Sequence, residues 1–251
     1  MPVRHCEAFV LRTYRVGEAD KIVVFLSREL GKLRGFAKGA RRPRSRFGAS
    51  LEVGTEVALT FFEKEVQELV SVDRCDIVRS DFLRLGDPIV TCTLAYFTDL
   101  VDAFAPEREP NAKLYRLVKA AMASLVDGAE PEQTARYFEA WLLRLGGFYP
   151  RRKSCASCGV DLAMRGACYK VEEYRLVCRR CSESGVILSP VTLEFLQRVW
   201  SEPPQSIPAP ERRQVLGELS VLHQKLIAQQ IEKELGSYQV LQDLMRLERK
   251  R

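Results

Sequence analysis

The stretch Thr55-Glu56-Val57-Ala58-Leu59-Thr60-Phe61 alternates large apolar residues with small or polar ones. Successive side chains of a β-strand point to opposite faces of the sheet, so this alternation is typical of a strand with one buried face. Similar β-rich runs, separated by turn signals, occupy most of the first 80 residues. Five strands in so short a span predict a small barrel. The predicted strands are 8–14, 21–26, 32–37, 56–62 and 68–78.

Two kinds of small barrel fit five strands. The partly open OB-fold barrel binds single-stranded oligonucleotides across one face and its flanking loops, and the SH3-like barrel is a competitor of similar size. We assign residues 1–80 to a small barrel domain, of which the OB-fold is the nucleic-acid-binding form, and both kinds of barrel stay open at this point. Residues 81–251 are assigned to a mostly helical domain, so the predicted fold class is α+β and multidomain.

Helical periodicity replaces the strand pattern from about residue 88. Apolar residues then recur at spacings of three and four, which is the pattern of a helix with one buried face. Serine or proline marks several starts, and a proline-rich stretch at 202–210 interrupts the pattern. The predicted helices begin near Pro88, before Leu114, after Pro131, at Ser189-Pro190 and at Glu211, the last continuing through Leu235.

Cations are concentrated between Leu30 and Leu51, where no acidic residue offsets them. Residues 38–46 follow a strand-like run and contain Gly and Pro, so they are predicted to form an exposed loop. Arg supplies planar donor forks and Lys a point charge, and both suit phosphate oxygens. A polyanion is therefore the expected partner, although a solvated loop that binds nothing is the alternative. The cations are Lys32, Arg34, Lys38, Arg41, Arg42, Arg44 and Arg46.

Four of the eight cysteines form two Cys-x-x-Cys pairs. The pairs are separated by nineteen residues, inside the range of structural zinc sites, and the chain between them is expected to return as a hairpin. Four thiolates fill a tetrahedral shell and leave no position for an activated water. One structural Zn²⁺ is therefore predicted within a module at 151–185, while Cys168 is expected to be a buried apolar residue. The predicted ligands are Cys155, Cys158, Cys178 and Cys181.

Composition indicates a cytoplasmic protein. The chain has 251 residues and a formal net charge of +6, enough length for two or three packed units. No run of 18 uncharged apolar residues occurs, and the first residues carry charges where a signal peptide needs an apolar stretch. Because the cytoplasm is reducing, clustered cysteines are interpreted as metal ligands before disulfides.

Enzymatic alternatives find little support in the motifs. Zinc deaminases combine His-x-Glu with Pro-Cys-x-x-Cys on one metal. His5-Cys6-Glu7 matches the first part, but Ser154 stands where the proline should be, and a second cysteine pair would have no role. No phosphate-binding Gly-x-x-x-x-Gly-Lys-Ser/Thr loop or Gly-x-Ser-x-Gly motif occurs. A Mg²⁺-dependent nuclease stays open, but the expectation is that the chain is not an enzyme.

Four N-terminal motifs, in this order, resemble the RecO family of bacterial DNA repair proteins. The later order of helices, four cysteines and more helices also fits, so the resemblance covers nearly the whole chain. The motifs are Cys6-Glu7-Ala8-Phe9-Val10-Leu11-Arg12, Gly17-Glu18-Ala19-Asp20-Lys21-Ile22, Gly31-Lys32 and Lys38-Gly39-Ala40-Arg41-Arg42-Pro43.

The resemblance implies an OB-fold barrel joined to a helical domain with an embedded zinc module. It further implies binding of single- and double-stranded DNA, annealing of complementary strands, and work with RecR to load RecA onto DNA coated with single-strand-binding protein. The family engages the C-terminal tail of single-strand-binding protein through its helical domain. A DNA repair and recombination mediator, associated with the nucleoid, is the function that this resemblance predicts.

Charge and resemblance together assign nine candidate nucleic-acid-binding residues. Annealing requires no bond chemistry, only screening of two phosphate backbones while the bases stay free to pair. Phe36 and Phe47 flank the loop and could stack on bases, but both are favoured as core. Two other functions stay open, a protein-binding adaptor and an RNA-binding barrel of the translation apparatus. The nine residues are Lys38, Arg41, Arg42, Arg44 and Arg46, with Lys32, Arg34, Arg12 and Arg15 as weaker candidates.

Overall fold

A computed structural model describes most of the chain, and its two units are treated separately. The first unit comprises Met1–Arg116 and Leu235–Arg251, and the second comprises Leu117–Glu234. The domain boundaries predicted from the sequence stay a prediction. The described residues are 2–63, 68–80, 86–149, 154–210, 213–231 and 235–248.

Five strands of the first unit form a closed barrel in the order β1-β2-β3-β5-β4, with β4 pairing back onto β1. All neighbours are antiparallel except β3 and β5, which pair in parallel over two residue pairs. This order and closure are those of the OB-fold, so the barrel prediction is confirmed and the SH3-like alternative is not adopted. The strands are β1 Val3–Val16, β2 Asp20–Ser27, β3 Gly31–Ala37, β4 Glu56–Phe62 and β5 Val70–Arg79.

The alternation in β4 fills the barrel interior, as the sequence predicts. Val57, Leu59 and Phe61 are at most 1% exposed and pack with inward residues of the other strands. The pairing of β1 with β2 shifts by one residue between Val10 and Arg12. Such a β-bulge changes which residues face inward beyond it, so Arg12 lies opposite the buried Val24 on the outer face.

Two helices complete the core of the first unit. Asp87 accepts a hydrogen bond from the backbone N–H of Ile89 and caps α1, with Pro88 at its first position. Helix α6 packs on α1, where the rings of Tyr96 and Tyr238 lie 5.1 Å apart. The barrel therefore shares its unit with helices from both ends of the helical region.

The second unit contains a small sheet, most of the helix at Ala112–Val126 and the three helices Pro131–Leu145, Pro190–Ser201 and Arg213–Gln230. Ser189 caps α4 by accepting from the N–H of Thr192, as predicted from Ser189-Pro190. The predicted hairpin between the cysteine pairs is present, and a third strand extends it in the order β7-β6-β8. Cys168, in the middle of this sheet, is fully buried as expected. The strands are β6 Ala167–Lys170, β7 Arg175–Val177 and β8 Val186–Leu188.

The α-helices lie close to their predicted positions. In the described ranges, none combines the length and the apolar composition that crossing a membrane requires. Their bounds are α1 Pro88–Phe104, α2 Ala112–Val126, α3 Pro131–Leu145, α4 Pro190–Ser201, α5 Arg213–Gln230 and α6 Gly236–Glu248.

The prediction of one long final helix is wrong. Helix α5 ends at Gln230 and a separate α6 begins at Gly236. Ile231 and Leu235, which continue the apolar period, are only partly buried. The buried residues of α5 belong to the second unit, whereas those of α6 belong to the first. Packing into two different cores divides the segment, and local periodicity does not carry that information.

Gly31 provides a stability test of the barrel. Its φ is +71°, and a Cβ there would lie 2.2 Å from the carbonyl oxygen of Glu109. We expect Gly31→Ala to cost about 2–4 kcal/mol of unfolding free energy, combining left-handed backbone strain with overpacking. Gly17→Ala is the matched control, because Gly17 also has positive φ but faces open space, and about 1–2 kcal/mol is expected. Equal losses in denaturant unfolding would contradict the close approach.

Candidate nucleic-acid interface and metal site

The basic loop, residues 38–46, is held against the turn between β1 and β2. The backbone N–H of Gly39 donates to Asp20 Oδ1 at 2.7 Å, and that of Arg41 donates to the carbonyl of Ala19 at 2.8 Å. Gly39 has a φ of +73°, which favours glycine. The N–H of Arg42 then donates to the carbonyl of Gly39. These bonds fix the backbone of the loop while its side chains point to solvent.

All five cations of the basic loop are exposed. Arg41 Nη1 donates to the carbonyl of Gly17 at 3.1 Å, and Arg46 Nη2 donates to the carbonyl of Val72 at 3.2 Å. Carbonyl contacts orient a guanidinium group without neutralising its charge. Among the described residues no carboxylate pairs with any of the five, so the loop presents its full positive charge. The five are Lys38, Arg41, Arg42, Arg44 and Arg46.

Arg15 lies near the end of β1, four residues before Ala19. It is exposed and pairs across the strands with Lys21, without a bonded partner in the parts of the chain described here. Arg15 is therefore an exposed cation that is available to a phosphate, but no contact in the described residues joins it to the basic loop.

The three remaining candidates are engaged with carboxylates of α1 and of the loop that follows it. Lys32 is only 7% exposed, and its Nζ lies 2.6 Å from the carbonyl oxygen of Asp102 and 3.5 Å from one of its carboxylate oxygens. Arg34 Nε lies 3.0 Å from Glu107 Oε1. These side chains are already bonded within the first unit and are therefore less available to a ligand.

Arg12 contacts two carboxylates of α1. It donates to Asp99, and its Nε lies 3.6 Å from Asp102 Oδ2. Partial burial alone would lower the pKa of Arg12, but the hydrogen bonds and charge interactions with Asp99 and Tyr14 together outweigh it and raise that pKa. The sequence did not reveal these pairs, since the carboxylates lie more than about 70 residues from their partners and no short-range pattern connects them.

The two phenylalanines flanking the loop differ. Phe47 is 3% exposed and belongs to the barrel core, with the Arg46 guanidinium 4.9 Å from its ring centroid. Phe36 is partly exposed on the outer face of β3. Only Phe47 thus matches the predicted core position fully.

The four cysteines of the two Cys-x-x-Cys pairs converge on one point in the second unit. Their sulfurs all lie within 4.8 Å of one another, and the Sγ atoms of Cys158 and Cys178 are 3.7 Å apart. A tetrahedral Zn–S₄ centre with bonds of about 2.3 Å places its sulfurs roughly 3.8 Å apart. The arrangement therefore fits a four-thiolate metal centre.

Hydrogen bonds favour the thiolate form of Cys155, which is the form that binds a cation. The backbone N–H of Cys178 lies 3.2 Å from Cys155 Sγ. Burial raises the pKa of Cys155, but the N–H groups of Cys178, Cys158 and Ser157 outweigh it and lower that pKa to about 6. Hydrogen bonds that the Cys181 thiol donates to Cys158 and Cys178 raise the pKa of Cys181 to about 12. Four sulfurs this close cannot all carry charge unless a cation neutralises them.

Other sequence candidates do not join this cluster. In the described ranges the metal-ligand group consists of the four cysteines, and His5 Nδ1 instead lies 2.9 Å from the hydroxyl of Thr60. The deaminase interpretation is therefore not supported. Of the cations next to the cysteine pairs, Arg179 and Arg180 are exposed, and Arg151, Arg152 and Lys153 lie outside the described residues.

A buried polar cluster in the second unit was missed by the sequence. His223 is fully buried, with Nδ1 2.8 Å from Glu139 Oε2 and Nε2 2.7 Å from the Tyr149 hydroxyl. Arg136 Nη1 lies 3.0 Å from the same Glu139 oxygen. Burial lowers the pKa of His223 more than Glu139 raises it. The cluster joins α3 to α5. A helical period in the sequence shows only which residues are buried, so it does not reveal the polar partners of His223.

The fold and the site define a class of protein in which a closed OB-fold barrel with a basic loop is followed by a helical region with four cysteines that could hold a metal ion. Family models agree with both parts of the chain. The N-terminal model of recombination protein O matches residues 1–81, and its C-terminal model matches residues 85–239. The chain belongs to the recombination protein O (RecO) family.

Individual relatives support this assignment. A DNA repair protein RecO from Koribacter versatilis is 38% identical over 160 residues, which cover 64% of this chain and 65% of the relative, just under two thirds of its length. Proteins of the same name from Pelobacter propionicus and Symbiobacterium thermophilum are 33% and 32% identical. Those alignments cover 75% and 80% of the relatives. Family membership supports a role in DNA repair.

Metal content tests the cysteine cluster. We expect about one equivalent of bound metal by elemental analysis, and Cys181→Ser should lose it because three thiolates bind more weakly than four. Chelation should lower the unfolding temperature by at least about 5 °C, since each kcal/mol shifts it by about 2–4 °C in a chain of this size. Cys92→Ser is the control, because this partly buried cysteine lies outside the cluster. Metal-free wild-type protein would refute the assignment.

Proposed function

We propose that this protein binds single- and double-stranded DNA through the basic loop and anneals complementary strands. The observation that carries the proposal is that five exposed cations share one anchored loop with no carboxylate paired to them among the described residues. Phosphate oxygens are the ligands that such a cluster of guanidinium and ammonium groups prefers.

Charge screening explains the mechanism. Two single strands repel one another through their phosphates, and each cation placed between them releases condensed counterions and lowers that repulsion. The loop cations contact the backbone and leave the base edges free to pair. No bond is made or broken, which agrees with the prediction that the chain is not an enzyme.

The predicted partners extend this function. By resemblance to its family, the protein is proposed to act with RecR, to engage the C-terminal tail of single-strand-binding protein and to help load RecA. Association with the nucleoid would follow from DNA binding. The metal is proposed to be one structural Zn²⁺, because four thiolates suit zinc and leave no open position for a substrate.

Charge reversal tests the loop. Replacing Arg41, Arg42 and Arg44 with Glu should lower the annealing rate of two complementary strands by at least about 100-fold, since each phosphate contact contributes to counterion release. A matched triple reversal of exposed arginines outside the loop, Arg28, Arg116 and Arg165, gives the same change in net charge. Fluorescence annealing assays at constant salt, with circular dichroism to verify folding, provide the measurement.

The control set separates location from total charge. If both triple variants lose annealing equally, net charge rather than the loop is responsible. If neither does, and wild-type protein binds DNA without dependence on salt, a protein-binding adaptor becomes the better function. Tighter binding to RNA than to DNA of the same sequence would favour the RNA-binding alternative.

Salt dependence tests which cations contact phosphate. Five loop cations predict a slope near −3.5 for log affinity against log salt, because each neutralised phosphate of a single strand contributes about −0.7. Arg44→Ala should reduce the magnitude of the slope by about 0.7, whereas Arg34→Ala should leave it unchanged, because Glu107 already pairs with Arg34. Fluorescence anisotropy titrations of a single strand at four or more salt concentrations measure both. Equal changes in the two variants would contradict this division.

A further inference from the structure

A row of apolar side chains crosses the outer face of the barrel beside the basic loop. Tyr14 of β1 lies opposite Ile22 of β2, and Ile22 lies opposite Phe36 of β3. The inward positions of these strands, such as Val23 and Phe25, belong to the barrel core, so the row faces the other way. Neighbouring strands are about 4.8 Å apart, which places the two aromatic residues roughly 10 Å apart with Ile22 between them.

This row is accessible. Tyr14 is 44% exposed, and Ile22 and Phe36 are each partly exposed. The Tyr14 hydroxyl accepts a hydrogen bond from Arg12 Nη1 at 3.5 Å, while its ring offers a large apolar surface to solvent. The rest of the described first unit leaves this row open to solvent.

The basic loop borders the row on one side. Strand β3 ends at Ala37, directly after Phe36, and Lys38 opens the loop. The loop is bonded to the β1–β2 turn, three residues beyond Tyr14, through Arg41 Nη1 and the carbonyl of Gly17. A polyanion held by these cations therefore passes over the row.

Acidic residues limit the row on the other side. The next row along the same face is Arg12, Val24 and Arg34. Carboxylates of Asp99 and Glu107 pair with its two arginines. Phosphates approaching that row would meet carboxylates, so the accessible track is one row wide.

We propose that Tyr14 and Phe36, with Ile22 between them, form a stacking platform for unpaired bases of a single strand whose phosphates the basic loop holds. This rests on the proposed function and assigns base contacts to the same surface. Stacking on aromatic rings tolerates any base, since every base has a π-face. Duplex DNA keeps its bases stacked inside, so the platform favours single strands.

Two oligomers of equal length separate base contacts from phosphate contacts. One is a thymidine oligomer and the other an abasic oligomer with the same number of phosphates. Tyr14→Ala should weaken binding of the thymidine oligomer by about five- to 150-fold, the effect of losing one stacked base. Its affinity for the abasic oligomer and the slope of log affinity against log salt should stay as in wild type.

Matched variants keep the result specific. Tyr14→Phe retains the ring and should bind thymidine oligomers as wild type does. Ile77→Ala removes an apolar side chain that is 47% exposed on β5 and should change nothing. Thermal unfolding verifies that each variant is folded.

Each result decides the proposal. Wild-type affinity of Tyr14→Ala for the thymidine oligomer would overturn the platform alone and leave the loop as the whole site, with the row open to a protein partner. Equal loss for both oligomers would also overturn it, because the abasic strand has no base to stack. If wild-type protein bound neither oligomer, the proposed function and the platform would fail together.

Discussion

Ion pairs between α1, its following loop and the barrel decide which cations are open to phosphate. If a phosphate took the cation of such a pair, the carboxylate would be left unpaired beside a polyanion. Breaking a buried pair costs about 3–5 kcal/mol. Lys32, whose side chain is 8% exposed, is the clearest case. A cation count along the sequence therefore overstates the binding surface. The pairs are Arg12 with Asp99 and Asp102, Lys32 with Asp102 and Glu107, and Arg34 with Glu107.

The hydrogen bonds that anchor the basic loop fix the backbone from which the remaining cations extend. The Asp20 carboxylate accepts a hydrogen bond from the backbone N–H of Gly39, so this acidic group holds the loop in position without pairing with one of its cations. Arg41 and Arg46 contact carbonyl oxygens, which orient the side chains and preserve their charge. A loop with a fixed backbone loses less conformational entropy on binding than a mobile one. Long side chains still adapt to an irregular single strand.

Short-range sequence patterns predicted the features that depend on interactions between residues close in the chain. Alternation located β4, capping residues located α1 and α4, and the spacing of Cys155, Cys158, Cys178 and Cys181 located a cluster that the fold closes. Long-range pairing carries no such signature. The carboxylates facing Arg12 and the buried partners of His223 come from distant segments, and the division between α5 and α6 depends on two separate cores. Those features required coordinates.

The proposed loop and platform would hold a strand and still leave most of its bases free to pair. Contacts to phosphate alone leave every base free but give no preference for an unpaired strand. Stacking along the whole site would hold the bases that must pair. In the proposed platform, Tyr14 and Phe36 span one row of three strands, bounded by Lys38 and by the carboxylate-paired Arg34. Only about two bases can stack over a span of roughly 10 Å, so neighbouring bases stay available to a complementary strand.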